Sequence, residues 1–251
     1  MEKSHINSQI QSARYYLFDI PIDSLSMEET MAKIEDFIKT RKLHLVVTAD
    51  AAAIMMAEDH VEFKKILQNA SLVTADGAGI TWALRKKYGI NLARVSGVEL
   101  VEKFCEKSAE KGYRIFFLGS SPGVAEQAAE KMIKRYPGCQ IVGHQHGYFS
   151  ADENPKIAEK IAETRPDLLF VALGMPRQEK FILETQTIHQ VPVAIGVGGS
   201  LDVLSGNIRR APKIVQKFSM EWLWRLINNP SKIQKVKQLP RFAYRVLRSG
   251  R

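Results

Sequence analysis

The chain has 251 residues, 45% of them hydrophobic and 25% charged, an ordinary globular composition able to bury a sizeable core as one large domain or a domain with a small appendage. Its two cysteines, Cys105 and Cys139, belong to no CxxC or Cys/His cluster, which argues against a disulfide framework or structural zinc and for a reducing compartment. The formal net charge of +9 is unevenly placed: residues 207–251 hold twelve Lys/Arg and one acidic residue, Glu221, leaving 24 basic and 26 acidic residues in 1–206.

In chain order, residues 1–14 are polar and lack the apolar run of a signal peptide. A strand is expected over 15–20, ending at Pro21. Ser26 with Glu29 forms a capping box that opens a helix through Ile38. The β-branched run at 43–48 reads as a buried strand, followed by a helix from Ala51 to about Gln68. Residues 71–74 give a short strand, and Asp76-Gly77-Ala78-Gly79 opens a helix through Lys87. A helix over 98–111 is closed by Gly112.

The alternation then becomes regular. Strands are expected at 114–118, 140–143, 168–173 and 193–197, with helices at 124–136, 155–165 and from 177 to about 187. Strands alternating with helices imply a mostly parallel sheet covered on both faces, an α/β fold. In the tail, residues 211–228 read as a helix carrying Trp222 and Trp224, and a second helical stretch breaks near Pro240. Beyond that break, Arg241, Arg245 and Arg248 share a face beside Phe242, Val246 and Leu247. The spacing leaves two readings open: an interfacial helix on a membrane, or a surface helix packed on the body. No stretch approaches the roughly 20 apolar residues that span a bilayer.

Ligands of open parallel sheets bind at the carboxyl ends of the strands. Those ends deliver Thr48-Ala49-Asp50, Asp76-Gly77, Gly119-Ser120-Ser121, Gly174 to Gln178, and Gly198-Gly199-Ser200 with Asp202. Glycines there admit backbone N–H groups to a phosphate, and the following helix N-termini favour negative charge. Asp50, Asp76 and Asp202 each read singly as N-caps; together with Gln178 on one rim they point to a polar ligand site, where a carboxylate can act as general base. No GxGxxG, Walker loop, HExxH or EF-hand pattern is present, and His144 and His146 lack an obvious carboxylate partner for a metal. The rim and the basic tail do not by themselves name a substrate.

At the rim the chain resembles the WecG/TagA/CpsF family of bacterial glycosyltransferases, from about Tyr15 to the C-terminus. The likeness is carried by Thr48 in VVTADAA, Asp76 in LVTADGAGI, Arg94-Val95-Ser96-Gly97 and His146-Gly147-Tyr148-Phe149. It continues through FVALGMPRQEK with Gly174, Pro176 and Gln178, IGVGGSLDVLSGNIRRAP, and EWLWRLINNP. The resemblance implies a Rossmann-like body over 15–206 and a basic helical appendage over 207–251. It implies an inverting enzyme without a metal or other cofactor, moving an N-acetylmannosamine-type sugar from a UDP donor. The acceptor it implies is N-acetylglucosamine on undecaprenyl diphosphate, for wall teichoic acid or a related glycan.

By the same resemblance Asp76 is the general base, Thr48 and Gln178 position substrate, and Arg94 is an active-site arginine. Gly119, Gly174, Gly198, Gly199 and Asp202 lie where UDP binds, and Arg225, Lys232 and Lys235 stand near the diphosphate. The expected location is cytoplasmic, on the inner face of the membrane, with self-association open. Two departures stand out. A segment that reads Thr-Pro-Asn-Ala-Glu in the family is Thr48-Ala49-Asp50-Ala51-Ala52 here, and Lys232 and Lys235 replace arginines. The rivals are another donor, such as the uronic acid of N-acetylmannosamine or glucuronic acid, a membrane adaptor, or a nucleic-acid binder using the +11 tail. Against the last, the body has no RRM, KH or helix-turn-helix pattern.

Overall fold

The computed structural model describes residues 13–208 and 233–249. The chain opens with an antiparallel hairpin, β1 (Ala13–Leu17) and β2 (Ile20–Ser24), not the single expected strand over 15–20. Phe18 and Asp19 both take positive φ, 51° and 66°, and turn the chain in two residues. Pro21 is tolerated because the hairpin forms its own two-stranded sheet. Asp23 ties it to the body by accepting from the Val73 N–H at 2.8 Å, and braces the hairpin itself by accepting from Arg14 Nε at 2.8 Å.

Helix α1 (Met27–Thr40) begins at the expected capping box, Ser26 Oγ accepting from Glu29 N–H at 3.1 Å and Glu29 Oε2 from Ser26 N–H at 2.8 Å. β3 (His44–Ala49) leads to α2 (Ala51–Asp59) and α3 (Val61–Asn69). The single helix expected there is broken at His60, whose backbone is extended. Asp59 to Glu62 is a full turn's length with no buried side chain, so packing gives a continuous helix no support at that point. β4 (Leu72–Ala75), α4 (Ala78–Tyr88) and α5 (Gly97–Lys111) follow. The remaining body is β5 (Arg114–Gly119), α6 (Val124–Arg135), β6 (Gln140–Gln145), α7 (Asn154–Glu163), β7 (Leu168–Ala172), α8 (Arg177–His189), β8 (Val193–Gly196) and α9 (Ser200–Leu204).

The six strands β3 to β8 form one parallel sheet in the order β4-β3-β8-β7-β5-β6. Alternate residues bury on opposite faces: Leu168 and Phe170 pack under α1, α5, α6 and α9, while Leu169 and Val171 pack under α2, α3, α4, α7 and α8. This double cover is the α/β architecture expected from the sequence. Because all strands run the same way, their carboxyl ends share one rim.

The described part of the tail is α10 (Ile233–Arg248), which runs through Pro240 without the expected break. A proline inside a helix costs about 3 kcal/mol; burial of Phe242 and Val246 against the body offsets that cost. The expected helix at 211–228, with Trp222, Trp224 and Arg225, lies outside the described residues, as do Lys232 and residues 1–12.

Candidate active site

β4 ends at Asp76, whose N–H donates to Ala49 O at 2.8 Å and so keeps the ends of β3 and β4 level. Gly77 then turns at φ 149°, a conformation few side-chain-bearing residues adopt. The chain returns after α4, where Val95 N–H donates to Ala75 O at 3.0 Å and sets half-buried Arg94 beside the same strand end. One step on, Gly97 N–H donates to Asp76 Oδ2 at 3.1 Å. Gly97 is the first residue of α5, so the carboxylate sits at a helix N-terminus.

Gly97 also marks a space. A methyl group there would lie 3.2 Å from Ser200 Oγ, 3.4 Å from Thr48 Oγ1 and 3.5 Å from Asp76 Oδ2. Three oxygens from three strand ends thus converge where a side chain is missing. Thr48 Oγ1 donates to Gly196 O at 2.9 Å and Ser200 Oγ to Val197 O at 2.6 Å, so neither hydroxyl is loose. Gln178, buried at the start of α8, receives the Gly198 N–H on Oε1 at 3.1 Å and donates from Nε2 to Glu179 Oε1 at 2.7 Å. Asp50 caps α2, accepting from Ala53 N–H at 2.8 Å, a task an asparagine performs equally.

The other half of the rim is a groove of about 970 Å³ over the ends of β5 and β7, lined among others by Ser120, Tyr148, Leu173, Arg177 and Asp202. Ser120 Oγ donates to Asp202 Oδ2 at 3.1 Å. Arg177 donates to Gly147 O at 2.8 Å and Phe149 O at 2.6 Å and stacks on the Phe149 ring, clamping the loop after β6. That loop leaves the Tyr148 ring exposed. Gly119 allows the close approach beneath it, since at φ 128° an added Cβ would fall 2.4 Å from Ala172 O.

α10 braces the opposite side. Arg241 makes a two-pronged ion pair with Asp59, both contacts at 2.6 Å, and Arg245 another with Glu58 at 2.9 and 2.5 Å. Arg241 holds the Asp59 carboxyl below its ordinary pKa. Phe242 packs edge-on to Phe18 and lies against Gly79 of α4, where an added Cβ would meet its ring at 3.6 Å and Ala51 of α2 at 3.3 Å. The helix therefore touches the first turns of the two helices that follow Asp50 and Asp76.

A sequence model described as the glycosyl transferase WecG/TagA/CpsF family matches residues 15–251. The chain belongs to the WecG/TagA/CpsF family of glycosyltransferases. It is also 33% identical over 216 residues to the N-acetylglucosaminyldiphosphoundecaprenol N-acetyl-beta-D-mannosaminyltransferase of Bacillus spizizenii, a match covering 86% of this chain and 83% of that protein.

In this family member the rim brings together Thr48, Asp76, Arg94 and Gln178 at the ends of β3, β4 and β7, with Gly198 and Gly199 between them. Asp202 lines the groove, Gly119 stands just before its Ser120, and Gly174, at φ 78°, opens the turn before the cis Met175–Pro176 bond. Arg225 and Lys232 lie outside the described residues, and Lys235 falls in the first turn of α10. His146 Nδ1 accepts from Tyr148 N–H at 3.2 Å, an ordinary loop contact. Among the described residues no three His, Cys, Asp or Glu side chains group as metal ligands, and no helix is long and apolar enough to cross a membrane. Gly97 and Ser200 stand in segments that the sequence marks, but no local pattern gives them a role, and nothing in the sequence signals Glu179 or the clamp made by Arg177.

Proposed function

We propose that this glycosyltransferase moves N-acetylmannosamine from UDP-N-acetylmannosamine to N-acetylglucosamine carried on undecaprenyl diphosphate, with inversion, in the assembly of wall teichoic acid or a related surface glycan. The observation that carries the reading is the convergence of Asp76, Thr48 and Ser200 on the space at Gly97, beside a groove large enough for a nucleotide sugar. The acceptor and the transferred sugar follow those in the name of the Bacillus spizizenii relative, and the UDP carrier follows the family resemblance.

In this reading Asp76 takes the proton of the acceptor hydroxyl as that oxygen bonds to the anomeric carbon; the bond from that carbon to the UDP oxygen breaks on the opposite face. Thr48, Gln178 and Arg94 hold the sugars. Gly119, Gly174, Gly198, Gly199 and Asp202 frame the UDP, and the exposed Tyr148 ring offers a stacking face to the base. Charge on the departing diphosphate is met by backbone N–H groups, helix N-termini and, from the tail, Arg225, Lys232 and Lys235.

The body over 15–206 is proposed as the catalytic unit, and residues 207–251 as the appendage that meets the inner membrane face. With Arg241 and Arg245 engaged by the body, the lipid-facing part of α10 is its outward side, Tyr244, Leu247 and Arg248, all exposed. A donor screen tests the proposal: UDP-N-acetylmannosamine, its uronic acid, UDP-glucuronic acid and UDP-N-acetylglucosamine are compared on one lipid-linked N-acetylglucosamine acceptor. Fastest turnover of UDP-N-acetylmannosamine is expected. Preference for a uronic acid, or no transfer from any donor, would overturn the assignment.

A further inference from the structure

We infer that Glu179 is a positioning residue that fixes the amide of Gln178 for substrate contact; the inference rests on the reading of Gln178 as a substrate-holding residue. Glu179 has no access to solvent and Gln178 almost none. Gln178 Nε2 donates to Glu179 Oε1 at 2.7 Å, and Gln178 Oε1 accepts from Gly198 N–H at 3.1 Å. The two ends of a primary amide are alike in shape and opposite in hydrogen bonding. Flipping this one would set N–H against N–H at Gly198 and oxygen against oxygen at Glu179. An acceptor on one side and a donor on the other therefore select a single orientation, with one Nε2–H remaining beyond the bond to Glu179.

The backbone makes room for the pair. A Cβ at Gly196 would fall 2.6 Å from Gln178 Nε2 and 3.0 Å from Glu179 Oε1, so β8 ends in the one residue that admits them. The Gly196 carbonyl in turn accepts from Thr48 Oγ1 at 2.9 Å. One contact path therefore runs from the buried carboxylate through Gln178 to the Gly198 turn, and across Gly196 to Thr48. An apolar residue would fill a purely structural site without the cost of burying a carboxyl group. The carboxyl group is what specifies the amide's direction.

The test compares UDP release by the full chain, with UDP-N-acetylmannosamine and the lipid-linked acceptor, for the wild type, Glu179→Leu, Glu179→Gln, Gln178→Ala and the double variant Gln178→Ala/Glu179→Leu. Glu179→Leu should slow turnover roughly 10- to 100-fold, the scale of a misplaced contact group. Glu179→Gln keeps an acceptor oxygen for Gln178 and should recover most of the rate. The double variant should be no slower than Gln178→Ala alone. If the Leu change costs its full factor in the Gln178→Ala background as well, Glu179 acts independently of Gln178 and the inference is wrong. Should Glu179→Leu not fold, Glu179→Asp withdraws the carboxylate by one methylene and permits the same comparison. A Gln178→Ala chain as active as wild type would instead overturn the site reading, and the inference with it.

Discussion

Asp76 Oδ2 accepts a hydrogen bond from the backbone N–H of Gly97 at 3.1 Å, across 21 positions of sequence. The contact joins the end of β4 to the start of α5, so a carboxylate and the space beside it are fixed by the same glycine.

Gly97→Ala places a methyl group among Ser200 Oγ, Thr48 Oγ1 and Asp76 Oδ2 at 3.2–3.5 Å. The 3.2 Å approach to Ser200 Oγ, a hydroxyl tied to Val197 O, is closer than ordinary van der Waals contact, so urea unfolding should report a modest loss of stability, about 1 kcal/mol. Sugar transfer should fall roughly 10- to 100-fold as the substrate loses that space. Unaltered kinetics would place the acceptor elsewhere.

Gly119→Ala should damage the fold far more than the change at Gly97. Its Cβ would collide with the Ala172 backbone at 2.4 Å, at a φ of 128° that side chains rarely adopt. Strain and displaced pairing of β5 with β7 together should cost more than about 3 kcal/mol, measured as a lower denaturation midpoint.

His189 makes stability depend on pH. Burial lowers its pKa to about 4, with the ring accepting from Val191 N–H on Nδ1 at 3.0 Å. Below the ordinary pKa of 6.5 the unfolded chain takes up a proton that the folded chain resists. This stability is present above pH 6.5 and lost as pH falls toward 4, by about 3 kcal/mol over that window. Unfolding free energies at pH 7 and pH 4.5 should show the loss, and His189→Gln should reduce it.

The docking of α10 should depend on Phe242 more than on its arginines. The Arg241–Asp59 and Arg245–Glu58 pairs present their arginines to solvent, so each adds little and is weakened by salt. Phe242→Ala removes a buried ring, about 3–5 kcal/mol. Hydrogen exchange over 233–249 should rise sharply in Phe242→Ala, and only modestly in the Arg241→Ala/Arg245→Ala double variant at low salt.

The parallel sheet was legible because each strand is a short apolar run between helical stretches, and Ser26 with Glu29 announces its capping box. What escaped depended on partners distant in sequence or on backbone angles. Phe18 and Asp19 form a tight turn without the usual Asn-Gly signal, so the hairpin read as one strand. Pro240 signals a break in isolation, yet Phe242 and Val246 are held by α2 and α4. The spacing of Arg241 and Arg245 left an interfacial helix and a helix packed on the body equally open, because their carboxylate partners lie 182 and 187 positions away. On the rim, Asp76, Thr48 and Gln178 were marked by their strand ends and by resemblance. Gly97 and Glu179 matter through the space one leaves and the amide the other turns, which no local pattern displays.

The most direct measurement is UDP release by Asp76→Asn, with UDP-N-acetylmannosamine and lipid-diphosphate-linked N-acetylglucosamine. Asparagine keeps an oxygen to accept the Gly97 N–H, so the thermal unfolding midpoint should match wild type. It cannot take the acceptor's proton, so turnover should fall by roughly 10²–10⁴-fold. A folded Asp76→Asn chain that releases UDP at the wild-type rate would contradict the assignment of Asp76 as the base.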